Sequence, residues 1–410
     1  MENNMMILGE GQFYSLDCYK TQLNNNVLVV GTSGAGKTRS IVSPNLLQAA
    51  GSYIVSDPKG NLYDKFGPYL KKHGYVVMKL DFTDPRNSSR YNFFQYINSV
   101  QDIVKISHML VCSQTSRRGY DPFWDEASQL LIESVIAYLR ERTTKKCQNY
   151  HSMMKVINFC TGSGDLSESK TPLDYMMEEL EEANPNSFAL STYRKFRVSA
   201  DRTLRSILIS VNARIGLYDT PDMNRLMEED DIDIASIGKR KTALFVVTSD
   251  TDRSMDGLAN IFFSQAMNEL CRYADKSCQN NCLPVPVRFI LDDFATNCKI
   301  EEFPRMIASI RSRGISAMLM IQAESQLEEC YGTDGRTIIS NCDSYVYLGG
   351  NDVDTAKAVA IRCDVPLKKI LNMPVGSNWI FRRGQEPVNG RNFRLEPFLQ
   401  EKMGREREDL

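Results

Sequence analysis

Gly31-Thr32-Ser33-Gly34-Ala35-Gly36-Lys37-Thr38 constrains this chain more than any other stretch. It has the pattern G-x-x-x-x-G-K-T, and its flanks agree with it. Val27-Leu28-Val29-Val30 has strand length and β-branched content, and Ser40-Ile41-Val42 can open a helix. A strand, a glycine loop and a helix in that order aim backbone N–H groups and a helix N-terminus at phosphate oxygens. The glycines let the backbone approach without a Cβ in the way. Lys37 can then reach terminal phosphates and the Thr38 hydroxyl can hold Mg2+, so the loop asks for ATP with Mg2+. A chance match in a Gly-rich turn would not explain the strand and helix around it.

Such a loop needs a metal partner and a base. Phe289-Ile290-Leu291-Asp292-Asp293 carries two carboxylates off the end of an apolar strand. Open α/β sheets bind ligands at that edge. Asp292 is read as a contact of the Mg2+ shell, and Asp293 as the group that orients or deprotonates the attacking water. Taken alone, a strand-end turn explains the two acids equally well. Gln322 ends the next strand, Ile315–Ile321, where an amide could sense a γ-phosphate or simply serve a turn. Arg311 and Arg313 precede that strand. They suit the spread charge of phosphoryl transfer, often across a subunit boundary, or else form a solvated helix end.

At 410 residues the chain exceeds the ~250–300 at which one core stops growing, so two domains are expected. Ser52–Val55 and Tyr75–Leu80 read as further strands. From Ser99 to Asp230 the period becomes helical, with Phe123, Ala127, Leu130, Leu131, Val135 and Tyr138 at helical spacing. Thr171-Pro172-Leu173-Asp174 offers an N-cap, a Pro at the first helical position and an acid in the first turn. That helix should stop near Asn184-Pro185. A third carries Leu204, Ile207, Leu208, Val211 and Ile215 on one face. Strand signals resume at Thr242–Val247, Val287–Leu291, Ile315–Ile321 and Tyr345–Leu348. The expected fold is α/β with a mostly parallel, doubly covered sheet, split over 1–98 and 231–410, and an all-α insertion at 99–230.

A formal net charge of −2 excludes a basic nucleic-acid coat, so any such contact must be a local patch. Eleven cysteines without a C-x-x-C pair, and three histidines, give no zinc pattern and fit reduced thiols in a cytosolic protein. No apolar run approaches the ~18 residues of a membrane span. Tyr193-Arg194-Lys195-Phe196-Arg197, followed by Arg202 and Arg205, could touch DNA phosphates with aromatics interleaved. A solvated or interdomain helix face is the preferred reading. Glu178-Glu179-Leu180-Glu181-Glu182 reads as an exposed face, and Trp124 as packing inside the helical domain.

Taken together, the residues spell out a family. The chain resembles the TraG/TraD type IV coupling proteins, hexameric ATPases that feed DNA–protein substrates into conjugative secretion channels. The matching stretches are Asn24–Gly31 running into the phosphate loop, Ser56-Asp57-Pro58-Lys59-Gly60, and Asp121-Pro122-Phe123-Trp124. Lys241–Phe245, Leu291-Asp292-Asp293-Phe294-Ala295, Arg311–Ser316 and Asn341-Cys342-Asp343-Ser344 complete the set. This resemblance implies a RecA-like P-loop NTPase domain with an inserted all-α domain. It implies Arg311 as an arginine acting on a neighbouring subunit's site and Gln322 as the γ-phosphate sensor. Its implied partners are DNA, single- or double-stranded, the relaxase and relaxosome proteins, and a secretion channel at the inner membrane. The implied location is the cytoplasmic face of that membrane. The chain departs from the family in three ways. It has Asp292-Asp293 where Asp-Glu is usual, it shows no N-terminal membrane helices, and the stretch after Asn351 is short. Near-zero net charge and the lack of a long apolar stripe lead us to expect a monomer for this chain alone and a hexamer in the working state. The competing functions are an FtsK- or HerA-like DNA pump, and a nucleotide-binding docking adaptor with weak hydrolysis.

Overall fold

Short apolar runs with buried residues on both faces form the centre of a sheet. A computed structural model describes residues 4–112, 122–160, 170–200, 203–296 and 298–403. Its strands are β1 (Met5–Gly9), β2 (Gln12–Ser15), β3 (Val27–Val30), β4 (Ser52–Asp57), β5 (Val76–Asp81) and β6 (Thr242–Val247). They continue with β7 (Val287–Leu291), β8 (Ile315–Ile321), β9 (Ser344–Tyr347), β10 (Ser377–Arg382) and β11 (Val388–Arg391). Every residue of β3, β4, β6 and β7 is buried, as a sheet covered on both faces requires.

The nine-stranded sheet has the order β11-β10-β9-β3-β8-β7-β4-β6-β5, and β1 with β2 forms a separate hairpin. From β9 through β6 the pairings are parallel, whereas β10 is antiparallel to both β9 and β11. Val30 lies opposite both Ile321 and Tyr347, and Leu291 opposite Leu319. The residues that follow β3, β7 and β8, namely Gly31, Asp292 and Gln322, therefore leave the sheet at one edge.

Polar side chains fix this register. Asn26 Oδ1 accepts from Ala317 N at 3.0 Å, while its Nδ2 donates to the Asn341 carbonyl at 3.1 Å. Asn24 exchanges bonds with Asp343, its N–H donating to Oδ2 at 2.6 Å and its Oδ1 accepting from Asp343 N at 3.2 Å. Two of the family stretches, Asn24–Asn26 and Asn341–Asp343, thus bind each other and clamp β3 to its neighbours. Below the sheet, Asn45 pairs with the Ile7 backbone in both directions, at 3.0 and 2.8 Å, and extends the hairpin's hydrogen bonding to a side chain.

The chain divides into two compact units, one of residues 1–79, 233–253 and 266–410, the other of 80–232 and 254–265. The second is helical. The helix Pro122–Arg142 packs on Val100–Cys112, Tyr150–Asn158, Phe188–Ala200 and Leu204–Ile215. Thr171 and Asp174 form a reciprocal capping box, and that helix ends at Ala183. The division falls at residue 80 rather than 99, and takes in 254–265, because long-range contacts decide it. Tyr91 meets Phe262 edge-to-face at 5.1 Å, and Gln265 Nε2 donates to the Phe93 carbonyl at 3.0 Å. Tyr193 and Phe196 are buried, and the Tyr193 hydroxyl donates to Asp174 at 2.9 Å, so these aromatics point into the unit. Arg194 pairs with Glu181 at the surface, and Arg197 with Asp174 in a partly buried pair. Arg202 and Asp121 lie outside the described residues. Glu178, Glu179, Glu181 and Glu182 are exposed while Leu180 is buried, and Trp124 is half-buried against Phe123. Among the described residues no helix is long and apolar enough to cross a membrane.

Candidate nucleotide-binding site

The loop after β3 is closed on itself. Gly34 and Gly36 adopt φ of +79° and +92°, which a side chain would resist. Lys37 is buried, and its Nζ donates to the carbonyls of Gly31 at 2.8 Å and Thr32 at 3.2 Å. Thr38 opens a single π-type turn, Thr38–Val42, in which Ser43 N donates to Thr38 O. Pro44 explains this turn: it has no N–H for an α-type bond, and an ordinary helix, Ser43–Leu47, follows.

The Thr38 hydroxyl donates to Asp292 Oδ2 at 2.6 Å, joining the loop to the strand-end acids. Asp292 Oδ1 accepts from Asp293 N at 3.2 Å, and Ser56 Oγ donates to the Asp292 carbonyl at 3.2 Å. Burial lifts the Asp292 carboxyl above the usual range; the Thr38 bond pulls it back, and the Asp293 charge adds to the lift. Burial lowers Lys37, opposed by the charges of Asp293 and Asp292. Asp293 is half-buried at φ +52°, a left-handed conformation that Asp tolerates better than most residues. The buried Asp292 carboxylate on the Thr38 hydroxyl, with Asp293 beside it, forms a set that a hard divalent cation would satisfy. The same set fits a triphosphate bound by Lys37.

Asp57 is a further buried carboxylate that the sequence reading quoted in a family stretch but did not count among the site residues. It ends β4, and burial raises its carboxyl, with Asp292 adding to the effect. It also caps the helix Asn61–Lys72 by accepting from Tyr63 N at 2.9 Å, which gives the Ser56–Gly60 stretch a structural task. Gln322 lies beside the loop, since Gly31 N donates to Ile321 O at 3.1 Å, and its own side chain is exposed. Arg311 stands apart from this group. It sits before β8, at the far end of that strand, with Nη2 donating to Cys18 O at 3.1 Å. Arg313 is engaged with Asp275 at 2.8 Å.

The wall next to the loop comes from a segment with no sequence signal. A cavity of about 1280 Å3 opens beside Gly36 and Arg39 and is lined by Lys368, Trp379, Arg391 and Arg394, among others. Asn392 Nδ2 donates to the Ala35 carbonyl at 3.2 Å, while its buried Oδ1 has no partner among the described residues. Arg39 pairs with Glu396 of the last helix, Leu395–Met403.

A family model for type IV secretory system conjugative DNA transfer matches residues 3–363. The chain belongs to that family. It is 24% identical over 354 residues to the conjugal transfer protein TraG of Escherichia coli, covering 81% of this chain and 54% of TraG. It is 22% identical over 341 residues to VirD4 of Agrobacterium fabrum strain C58, covering 80% and 48%. The chain therefore spans about half the length of the curated relatives it matches. Among solved structures, the plasmid coupling protein TrwB in complex with ADP and Mg2+ aligns with a TM-score of 0.66 at 17% identity, over 94% of this chain and 89% of that one. VirB4 of Thermoanaerobacter pseudethanolicus aligns at 0.56 and 13%, over 96% and 98%. This likeness shows the expected fold, a RecA-like P-loop NTPase. The family's stretches map onto the sheet clamp, the Asp57 cap, the phosphate loop and the strand-end acids described above.

Proposed function

We propose that this chain is the ATP-hydrolysing part of a conjugative coupling protein, recruiting a relaxase–DNA substrate and driving DNA transfer through a type IV secretion channel. The observation that carries the reading is the 2.6 Å bond between Thr38 and Asp292, which closes a phosphate loop onto a carboxylate pair within a family of DNA-transfer proteins.

In this reading Lys37 leaves the Gly31 and Thr32 carbonyls and moves to the β- and γ-phosphates. Mg2+, held by Thr38 and Asp292, would neutralise phosphate charge. Asp293 accepts a proton from the attacking water, and Gln322 senses the γ-phosphate. Arg311 cannot serve its own chain's site from the other end of β8, so its role is on a neighbour's site in a hexamer. The cavity beside Arg39 takes the nucleoside. The helical unit engages the DNA–protein cargo, and the assembly works at the cytoplasmic face of the inner membrane. TrwB complexes with ADP, Mg2+ and a non-hydrolysable ATP analogue support ATP and Mg2+ as ligands.

ATP hydrolysis by the purified chain, with and without single- and double-stranded DNA, tests this. DNA-stimulated turnover is expected. Tight ATP binding with no turnover under either condition would point instead to a docking adaptor, a reading favoured by Asp293 standing where the family usually has the longer Glu.

A further inference from the structure

A second cavity, of about 580 Å3, opens at the sheet edge opposite the phosphate loop, where β7 and β8 begin. Its walls include Cys18, Asn25, Arg288, Arg311 and Ser316. A volume in this range suits a small ligand rather than a lone water.

Arg288 is what singles this cavity out. It lies on β7 and is only 8% exposed. Its Nε donates to Ser316 Oγ at 3.3 Å. Among the described residues that is its one side-chain hydrogen bond, and no carboxylate pairs with it. The remaining guanidinium donors belong to a group that lines the cavity. Arginine keeps its charge in proteins, and buried charges are otherwise paired or hydrogen-bonded. A buried arginine with an open fork facing a cavity is thus an incomplete ion pair. Arg311 supplies a second guanidinium at the same cavity, held by the Cys18 carbonyl. Burial raises the Cys18 thiol, and the charges of Arg311 and Arg288 oppose that rise. Asp17 also lines the cavity; its Oδ1 accepts from the N–H groups of Tyr19 and Lys20 at 3.0 and 3.2 Å, and its Oδ2 lies 3.8 Å from Lys20 Nζ.

We propose that this cavity is an oxyanion-binding site, in which Arg288 forms an interior ion pair with a phosphate or carboxylate group and Arg311 covers it from the mouth. The planar fork of arginine matches both groups bidentately. The site is distinct from the phosphate loop, because β7 and β8 separate the two along their full length. It forms within the single chain and needs no nucleotide turnover, so it is read before ring assembly, where the proposed function turns Arg311 to a neighbour's site.

The test uses the full chain carrying Lys37→Ala, which weakens anion binding at the phosphate loop. Its melting temperature is followed against inorganic phosphate, sodium acetate and sodium chloride at matched ionic strength. A saturable rise with phosphate or with acetate, absent with chloride, is expected, and the anion that produces it identifies the source chemistry. Adding Arg288→Met should abolish that rise. It should also raise the melting temperature without added anion, since a neutral side chain of similar length replaces an unpaired charge. Arg288→Lys keeps the charge but not the fork and should leave a weaker response at higher anion concentration. No saturable response in the Lys37→Ala chain would overturn the proposal. So would a response that Arg288→Met leaves intact, or an Arg288→Met chain that melts below its parent, which would make Arg288 structural.

Discussion

The charged residues at the phosphate loop yield the most direct tests. Lys37→Ala removes the loop's mobile positive charge while leaving the backbone of Gly31–Thr38 in place, so a folded protein with no measurable ATP turnover is expected. Asp293→Asn keeps the shape but cannot accept the water's proton; turnover should fall by ~10²–10⁴ with ATP binding retained. A parent-like rate would assign the water to another group. Asp292→Asn has a signature in stability as well. Burial raises the Asp292 carboxyl in the folded chain, so folding favours its protonated form. That contribution is complete below the unfolded value of about 3.9 and is lost as pH rises through the raised folded value. At neutral pH without nucleotide, Asp292→Asn should therefore melt higher than the parent, and the gap should close on acidification. Its turnover should drop, because an amide is a poorer Mg2+ ligand than a carboxylate. Thermal melts from pH 4 to 8 beside turnover assays separate the two effects.

At the scale of elements, side-chain bonds to backbone decide where segments sit. Asn45 satisfies both polar groups of Ile7 inside the protein. Asn45→Ala leaves them unpaired, and each such buried group costs about 1–3 kcal/mol. Urea denaturation should show a loss of that order. The capping box is a milder case: Thr171→Ala should cost about 1 kcal/mol, confined to the helical unit. These devices differ in legibility. The Thr171-Pro172-Leu173-Asp174 cap is local, so its helix could be read from four letters. The partnership of Asn45 with Ile7 spans 38 residues and leaves no mark in either neighbourhood. Strands β10 and β11 also escaped. Asn378, Arg382, Asn389 and Arg391 break the apolar run, and the strands exist because the edge of β9 offers unpaired backbone groups.

On the scale of the whole molecule, Arg311 and the active acids lie at opposite edges of one sheet. The expected behaviour is slow basal turnover from a monomer and a DNA-dependent rise when a ring forms. Arg311→Ala should suppress the DNA-stimulated part and spare the basal part. Mixing it with Lys37→Ala subunits should restore some activity, since each supplies what the other lacks; no recovery would count against action between subunits. Light scattering without DNA checks the monomer. The helical unit carries no phosphate-binding loop. Replacing it with a short linker should leave Mg·ATP affinity within a few-fold while abolishing cargo binding.

What the sequence alone determined were the elements whose causes are local. Mostly apolar runs, interrupted only by Arg288 in β7 and Ser316 in β8, made β3, β6, β7 and β8 readable to the residue, and the glycine loop announced its phosphate. The Thr38–Asp292 bond joins residues 254 apart, so local pattern could predict its members but not their meeting. The cavity wall around Trp379 and Arg391 and the buried charge of Arg288 were the work of tertiary structure. So was the unit boundary set by Tyr91 and Phe262. Their common reason is physical: burial and pairing are properties of what surrounds a side chain, and here those surroundings come from distant parts of the chain.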